Sequence, residues 1–366
     1  STNYLDQKGL IAYGEDKFSR FTTTFKASTS LNDWFQASYS GRYVKDDFSQ
    51  PSHLRDQLYE DMARQIWPTK PLYDPNGNLY DDHVIGLRDG GRLNKHNNWL
   101  YQQAKLILSP VEGFRVVVES NYRINNTHRQ RSINTYYNLD VNGDPGNMWD
   151  LNTRVNEYYT FNRYFNNNIY TDYEKVFASA HRIKLMAGFQ SEANHFKDLG
   201  VIQLGLLKPE TPSVNASTGT SYYGDIVPPD VTGQYADWST LGFFGRINYD
   251  YLSRYLLEVN LRYDGSSRFR PSNRWGLFPS VSAGWNMAEE VFFEPISGVI
   301  SYLKLRGSYG SLGNQNTNSI YPTYSAMGIG IASGSFIIND QRPNIAWPPN
   351  MISSTLTWEK IVSWNL

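Results

Sequence analysis

Residues able to do chemistry are plentiful in this chain, but they do not gather into a reactive pattern. Six histidines, His53, His83, His96, His128, His181 and His195, are spread along 366 residues. No HExxH spacing puts two imidazoles on one helix face to hold zinc, and there is no GxSxG elbow, phosphate loop or dinucleotide glycine motif. The pairs Asp81-Asp82 and Glu289-Glu290 have the residue types of an acid and a base. Neighbours on a strand point in opposite directions, however, so a solvated loop is the simpler expectation, and the chain reads as no enzyme. Asp74-Pro75-Asn76-Gly77-Asn78 with Asp82, and Asp140-Val141-Asn142-Gly143-Asp144, set oxygen atoms at alternate positions as a calcium loop does. Neither runs on to a terminal bidentate glutamate, and Asn-Gly favours a hairpin tip, so turns are expected there, with no metal and no cofactor. The absence of cysteine excludes a disulfide framework and a thiolate metal site. What remains is stacking and hydrogen bonding. Tyr136 and Tyr137 beside Asn134 and Asn138, and Tyr222 with Tyr223, Tyr235 and Trp238, offer flat aromatic faces next to amides, a chemistry suited to sugar rings.

The elements that would carry these residues are strands. In 255–263, Tyr255, Leu257, Val259, Leu261 and Tyr263 fall on one face of a period-two pattern, and Glu258, Asn260, Arg262 and Asp264 fall on the other. The preceding segment repeats this, with Phe243, Ile247, Tyr249 and Tyr251 opposite Arg246, Asn248 and Asp250. Leu252 and Ser253 between the runs predict a tight hairpin. Phe114, Val116, Val118 and Tyr122 oppose Arg115, Glu119, Asn121 and Arg123, and Ile183, Leu185, Ala187 and Phe189 oppose Arg182 and Lys184. A lysine or arginine facing lipid at the bilayer midplane costs roughly 2–4 kcal/mol, so keeping charge to one face is a physical requirement of a transmembrane β-barrel. A soluble sandwich also alternates, and packs the same apolar face on a second sheet.

The strands are expected near 17–26, 32–45, 98–108, 113–125, 164–175, 182–193, 238–251, 254–264, 275–286, 302–311 and 354–364. Short connections alternate with the long loops 46–97, 126–163, 194–237 and 312–353, and 287–301 forms an unusually long turn on the short side. Barrels of the bacterial outer membrane keep short turns in the periplasm and long loops outside the cell. In the first long loop Leu54, Leu58, Met62 and Ile66 predict a short amphipathic helix between His53 and Trp67. Trp275 and Trp285 bracket one strand at a separation suited to two aromatic girdles, and Arg268 is placed to pair with Asp264 at a strand-end turn.

Composition agrees. Aromatic residues make up 15% of the chain, led by 27 Tyr and including 10 Trp. Mean hydropathy is −0.54, and no stretch is long and apolar enough for a membrane helix, so any crossing must be by strands. A net charge of −1 with interspersed signs gives no phosphate-binding stripe, so nucleic acid is not an expected partner. Ser1 at the start and a strand-like run at Trp364-Asn365-Leu366 at the end make the chain read as a piece of a longer one, with a secretory signal expected upstream.

The string YLLEVNLRYDGSSRFRPSNRWGLFPSVSAGWNMAEE from Tyr255, followed by LKLRGSYGSLGNQ at Leu303–Gln315 and TLTWEKIVSWNL at Thr355–Leu366, resembles the central barrel region of the SusC/RagA-type TonB-dependent transporters of Bacteroidota. FTTTFKASTSLNDWFQASYS and MARQIWPTKPLYDPNGNLY are compatible with the same family, so the resemblance covers essentially the whole chain. It implies an all-β, antiparallel transmembrane barrel of about 22 strands, of which about eleven are here and the plug domain is not. It also implies import of oligosaccharides or oligopeptides across the outer membrane, with a SusD-like surface lipoprotein over the mouth. The TonB-ExbB-ExbD complex would supply energy through the N-terminal part. On that reading Arg246, Glu258, Asn260, Arg262 and Arg306 face the lumen, and Tyr136, Tyr137, Tyr222 and Trp238 are candidates for substrate contact. The alternative from a different class is a non-transporting adhesin or a soluble carbohydrate-binding β-protein. An open half-barrel, with two free strand edges and a wide apolar face, is expected to aggregate in water.

Overall fold

The computed structural model describes residues 1–366 except 56, 57, 59, 62, 63, 65, 66, 68, 318, 332–336, 340, 341 and 350. Met62 and Ile66 of the expected helix lie outside the described residues.

One antiparallel sheet dominates. Its strands are β1 (Thr2–Lys8), β2 (Lys17–Asn32), β3 (Phe35–Pro51), β4 (Arg92–Val111), β5 (Phe114–Ile133), β8 (Arg154–Phe177), β9 (His181–Leu204), β10 (Asp230–Tyr251), β11 (Tyr255–Ser266), β12 (Trp275–Asn286), β13 (Lys304–Asn314) and β16 (Glu359–Asn365). They pair in chain order as a 12-stranded meander with β1 and β16 at its edges. Two small hairpins, β6 (Tyr136–Leu139) with β7 (Pro145–Trp149) and β14 (Ile329–Ile331) with β15 (Asn344–Ala346), and the helix α1 (Asp82–Asp89) stand in the loops, and among the described residues Leu58, Glu60, Asp61 and Arg64 are helical as well.

The expected strands are all present, and β1 is a strand the sequence reading lacked. Most are longer than expected, chiefly toward the long-loop end, although β2 runs on to Asn32 at its short-turn end. β8 and β9 each have 24 residues, about 80 Å of chain, against an apolar band about 25 Å tall in such walls. Beyond that band both faces meet water, so segments such as 194–204 lose the alternation and read as loop. The connections accordingly shrink to 52–91, 134–153, 205–229 and 315–358. Length does not alternate strictly either, since 267–274 is short although it lies at the long-loop end. The 287–303 segment is the long connection expected at the other end, folded as 3-10 turns over Met287–Glu289 and Val291–Ile296.

Hairpin turns fix the register. Leu252 and Ser253 both take positive φ, 50° and 59°, as the central residues of a primed turn do, and Asp250 Oδ1 accepts a 2.7 Å bond from Ser253 N. Tyr251 is then the Cα partner of Tyr255, and Ile247 of Val259. Ala178 and Ser179 repeat the conformation between β8 and β9.

The two faces divide as the pattern required. Phe165, Ile169, Leu185, Phe243, Ile247, Leu257, Val259, Leu261, Leu277 and Tyr309 are exposed on one face, and among the described residues no second sheet covers them. A soluble sandwich would bury this face, so that alternative lacks its second layer. Charge and amides occupy the other face, here called lumenal. The apolar core is small and lies mostly at the long-loop end, around Ile85, Leu87, Ile133 and Val155.

Candidate lumenal site

Side chains on the lumenal face form a hydrogen-bonded belt across strands. Gln103 on β4 donates to Glu119 Oε1 on β5 at 2.7 Å, and Asn121 donates to Asn166 Oδ1 on β8 at 3.4 Å. Asn166 and Gln190 both donate to Glu192 Oε1 on β9, at 3.3 and 3.1 Å. Arg262 on β11 donates to Gln190 Oε1 at 3.1 Å and to both oxygens of Asp264 at 2.9 and 3.1 Å. Arg246 Nε meets Asn260 Oδ1 at 2.5 Å, while Asn248 and Asn260 donate to Glu258 at 2.9 and 2.8 Å. The carboxylates of the belt are thus engaged by amides and, at Asp264, by a guanidinium group, which satisfies their hydrogen-bonding capacity along the wall.

All five residues expected to face a lumen share this polar face of the sheet. Arg246, Glu258, Asn260 and Arg262 are tied together as described. Arg306 lies toward the short-turn end, in a depression of about 410 Å³ also lined by Arg182, Lys184, Glu258 and Lys304. The expected pairing of Arg268 with Asp264 is not formed. Arg262 takes Asp264, because residues two apart on one strand share a face, and Arg268 turns over the ring of Trp238 at 5.0 Å.

The four aromatic candidates do not converge. Tyr136 is half-buried in the β6/β7 hairpin, stacked on Trp149 at 5.6 Å and edge-on to His53 at 5.2 Å. It rests on α1 where Gly86 has no side chain, and a Cβ there would stand 3.0 Å from the ring. Burial, with Asp150 and Asp82 nearby, pushes the Tyr136 hydroxyl up to about 12. His53 Nε2 lies 3.1 Å from Asp150 Oδ2, yet burial holds the imidazole below its usual range against that pull. Tyr137 is exposed, and Tyr222 is exposed and edge-on to Tyr223, its backbone N–H bound to Asn152 Oδ1 at 2.8 Å. Trp238 is on the lumenal face of β10. Among the described residues none of the four touches another through a ring contact or a hydrogen bond.

Asp81 and Asp82 differ from the expected solvated loop. Asp81 is buried, 5% exposed, and caps α1 by accepting from His83 N and Val84 N at 3.0 and 3.2 Å. The two carboxylates converge on Lys70 Nζ, which bonds both, so the place a cation would take beside His83 already holds an ammonium. The two Asx loops are turns. Asp74 Oδ1 accepts from Asn76 N and Asn78 N at 2.9 and 2.7 Å, and Asp140 Oδ1 from Asn142 N and Asp144 N at 2.8 and 2.9 Å, with Gly77 and Gly143 at positive φ.

Sequence reasoning missed a row of directly paired lumenal residues, Arg42, Tyr101, Arg123, Tyr164, Asn194 and Trp238, running across six strands from β3 to β10. Each lies on the charged face of its own strand, but only the register reveals that they are level. Bulges such as the shift between Leu108 and Val111 hide that register from the sequence.

The profile of the TonB dependent receptor-like β-barrel matches residues 24–366. The chain belongs to this family. TonB-dependent receptors are proteins of the bacterial outer membrane, receptors and transporters rather than enzymes, and this assigns the exposed apolar face to lipid. A TonB-dependent receptor of Formosa agariphila is 28% identical over 331 residues, covering 86% of this chain and 29% of the relative. SusC of Bacteroides thetaiotaomicron is 38% identical over 132 residues, 36% of this chain and 13% of SusC. The structure of the RagAB peptide transporter has the same fold, with a TM-score of 0.74 at 16% identity over 98% of this chain and 39% of that one. The chain therefore spans about two fifths or less of the length of these proteins.

Proposed function

We propose that this chain forms the central barrel wall of a TonB-dependent importer that carries oligosaccharides or oligopeptides across the outer membrane. The observation that carries this is the wall itself: a bare apolar face suited to lipid, backed by a continuous hydrogen-bonded polar face suited to a water-filled path. In the whole protein a plug domain closes the lumen, the TonB-ExbB-ExbD complex drives its movement, and a SusD-like lipoprotein covers the long-loop mouth. The likeness to SusC and to SusC/RagA-type proteins supports that arrangement. Arg246, Glu258, Asn260, Arg262 and Arg306 line the path, with contacts to cargo above it from Tyr137, Tyr222 and Trp238 and structural support from Tyr136.

The test is uptake and growth on a panel of defined glycans and peptides, comparing cells that carry the full-length gene with cells that lack it. Growth lost on one substrate class, and restored by the intact gene but not by a plugless version, is the expected result. No difference across the panel despite surface expression contradicts import and favours an adhesive role. Charge reversal at Glu258 and Arg262 is expected to slow uptake, and unchanged uptake removes them from the path.

A further inference from the structure

The level row on the lumenal face has a chemistry of its own. Arg42 lies over the Tyr101 ring at 5.9 Å, Arg123 over Tyr164 at 5.0 Å, and Arg268 over Trp238 at 5.0 Å, while Tyr164 and Trp238 stand 6.4 Å apart. From Arg42 to Tyr164 guanidinium groups and flat rings alternate along the hydrogen-bonding direction of the sheet, and beyond Asn194 the Trp238 ring is covered by Arg268 from the turn after β11. Among the described residues none of the three arginine side chains has a carboxylate partner, and Arg268 Nε is buried without any hydrogen bond. Glu192, one row toward the short-turn end, is already held by Asn166 and Gln190. One row toward the long loops, Trp99 stacks parallel to Tyr101, and the amide oxygens of Asn125 and Asn162 are buried and unpartnered. Arg42, Tyr101, Arg123 and Tyr164 together line a depression of about 360 Å³.

The height of the row makes it reachable. Phe165 and Leu241 lie just to its short-turn side, whereas Arg163 and the ion pair His195–Asp237, at 3.2 Å, face outward just beyond it. The apolar band therefore ends at this level, and the row stands at the mouth.

We infer that the alternating row from Arg42 to Arg268 is a binding strip for an acidic oligosaccharide, one bearing carboxylate or sulfate groups. This rests on the import reading and names the substrate class. Flat rings stack on the apolar C–H faces of sugars, and a guanidinium fork grips a carboxylate or sulfate through two donors. Tyr101 and Tyr164 sit two strand spacings apart, about 9.5 Å, with Arg123 between them, an order that fits a chain in which charged and uncharged rings alternate. A peptide, by contrast, is read through its backbone edge and through separate side-chain pockets, and the row offers neither.

The full-length transporter, purified in detergent, is titrated calorimetrically with tetragalacturonate, a sulfated galactan tetrasaccharide, maltotetraose and tetraglutamate. At least one acidic sugar is expected to bind tenfold or more tighter than maltotetraose, with affinity that falls as salt rises. Arg123→Gln is expected to lower that affinity about tenfold and leave maltotetraose unchanged. Arg268→Gln gives the same readout should Arg123→Gln fail the heat-shift gel assay for a folded barrel. Which acidic sugar binds separates carboxylate from sulfate recognition. Equal binding of neutral and acidic sugars, tightest binding of tetraglutamate, no sugar binding at all, or indifference to a folded arginine variant would each overturn the assignment. If deletion abolishes growth on a substrate but the arginine variants bind and grow as wild type, only the strip fails. If acidic sugars bind as expected but deletion has no uptake phenotype, the import reading fails and the strip stands.

Discussion

Arg262 on β11 reaches across β10 to Gln190 on β9, with Nη2 3.1 Å from Oε1 and the guanidinium lying over the Phe244 ring at 5.6 Å. The span is open because β10 has Gly242 opposite Asp264, and β9 has Gly188 opposite Phe244. Arg262→Leu removes the link and leaves Asp264 without its charged donor. The expected cost is about 1 kcal/mol, at the low end because the guanidinium is 43% exposed. Hydrogen exchange of β9 and β11 should quicken in this variant while outer-membrane assembly is retained.

Gly242 tests the same geometry sterically. A Cβ at this position would lie 2.0 Å from Asp264 Oδ1, so Gly242→Val must expel the Asp264 side chain from its bond with Arg262. Destabilisation of about 1–3 kcal/mol is expected in a folding titration. Gly298→Val, where a Cβ meets open space, should be near neutral.

Lipid contact on the outer face makes Leu257 sensitive to charge in a way its neighbour Glu258 is not. Leu257 is 41% exposed in the isolated wall and points away from the lumenal network. Leu257→Arg should cost about 2–4 kcal/mol in vesicle refolding, and Glu258→Gln much less. Equal costs would mean that the outer face does not meet hydrocarbon.

At the short-turn rim, Glu290 accepts from Tyr255 Oη at 2.7 Å and Trp285 Nε1 at 3.0 Å, with Arg254 at 3.5 Å. Those two hydrogen bonds, the Tyr255 one foremost, hold the Glu290 carboxyl below the usual carboxylate range. A depressed carboxyl stabilises the fold fully above its unfolded value of about 4.3, and that contribution disappears as pH falls through the lower folded value. The 287–303 segment should therefore become more protease-sensitive in acid, and Glu290→Gln should remove that part of the pH dependence.

How much of this was legible in the sequence depends on what surrounds each residue. Tyr255 to Asp264 could be read outright, because lipid on one side and water on the other impose opposite demands on alternate positions. Leu252-Ser253 could be read as a turn from the two runs it joins. The long-loop halves of β8 and β9 could not, since Asn156, Glu157, Lys197 and Asp198 stand where water bathes both faces and no alternation is required. The level row was invisible for a different reason. Tyr101, Arg123 and Tyr164 are far apart in sequence, and only register brings them together. Asp81 and Asp82 were misread because the loop folds a helix, whose capping makes adjacent carboxylates converge instead of diverging.

The most direct test of the account is a cysteine scan from residue 255 to residue 264 in the full-length protein in intact outer membranes. The chain itself contributes no background cysteine to such a scan. Cysteines at 257, 259 and 261 should react with a lipid-soluble maleimide and resist a charged one, while those at 258, 260 and 262 should show the reverse once the lumen is open to water. A strict period of two would establish a two-sided membrane wall, and uniform reactivity with the charged reagent along the segment would contradict it.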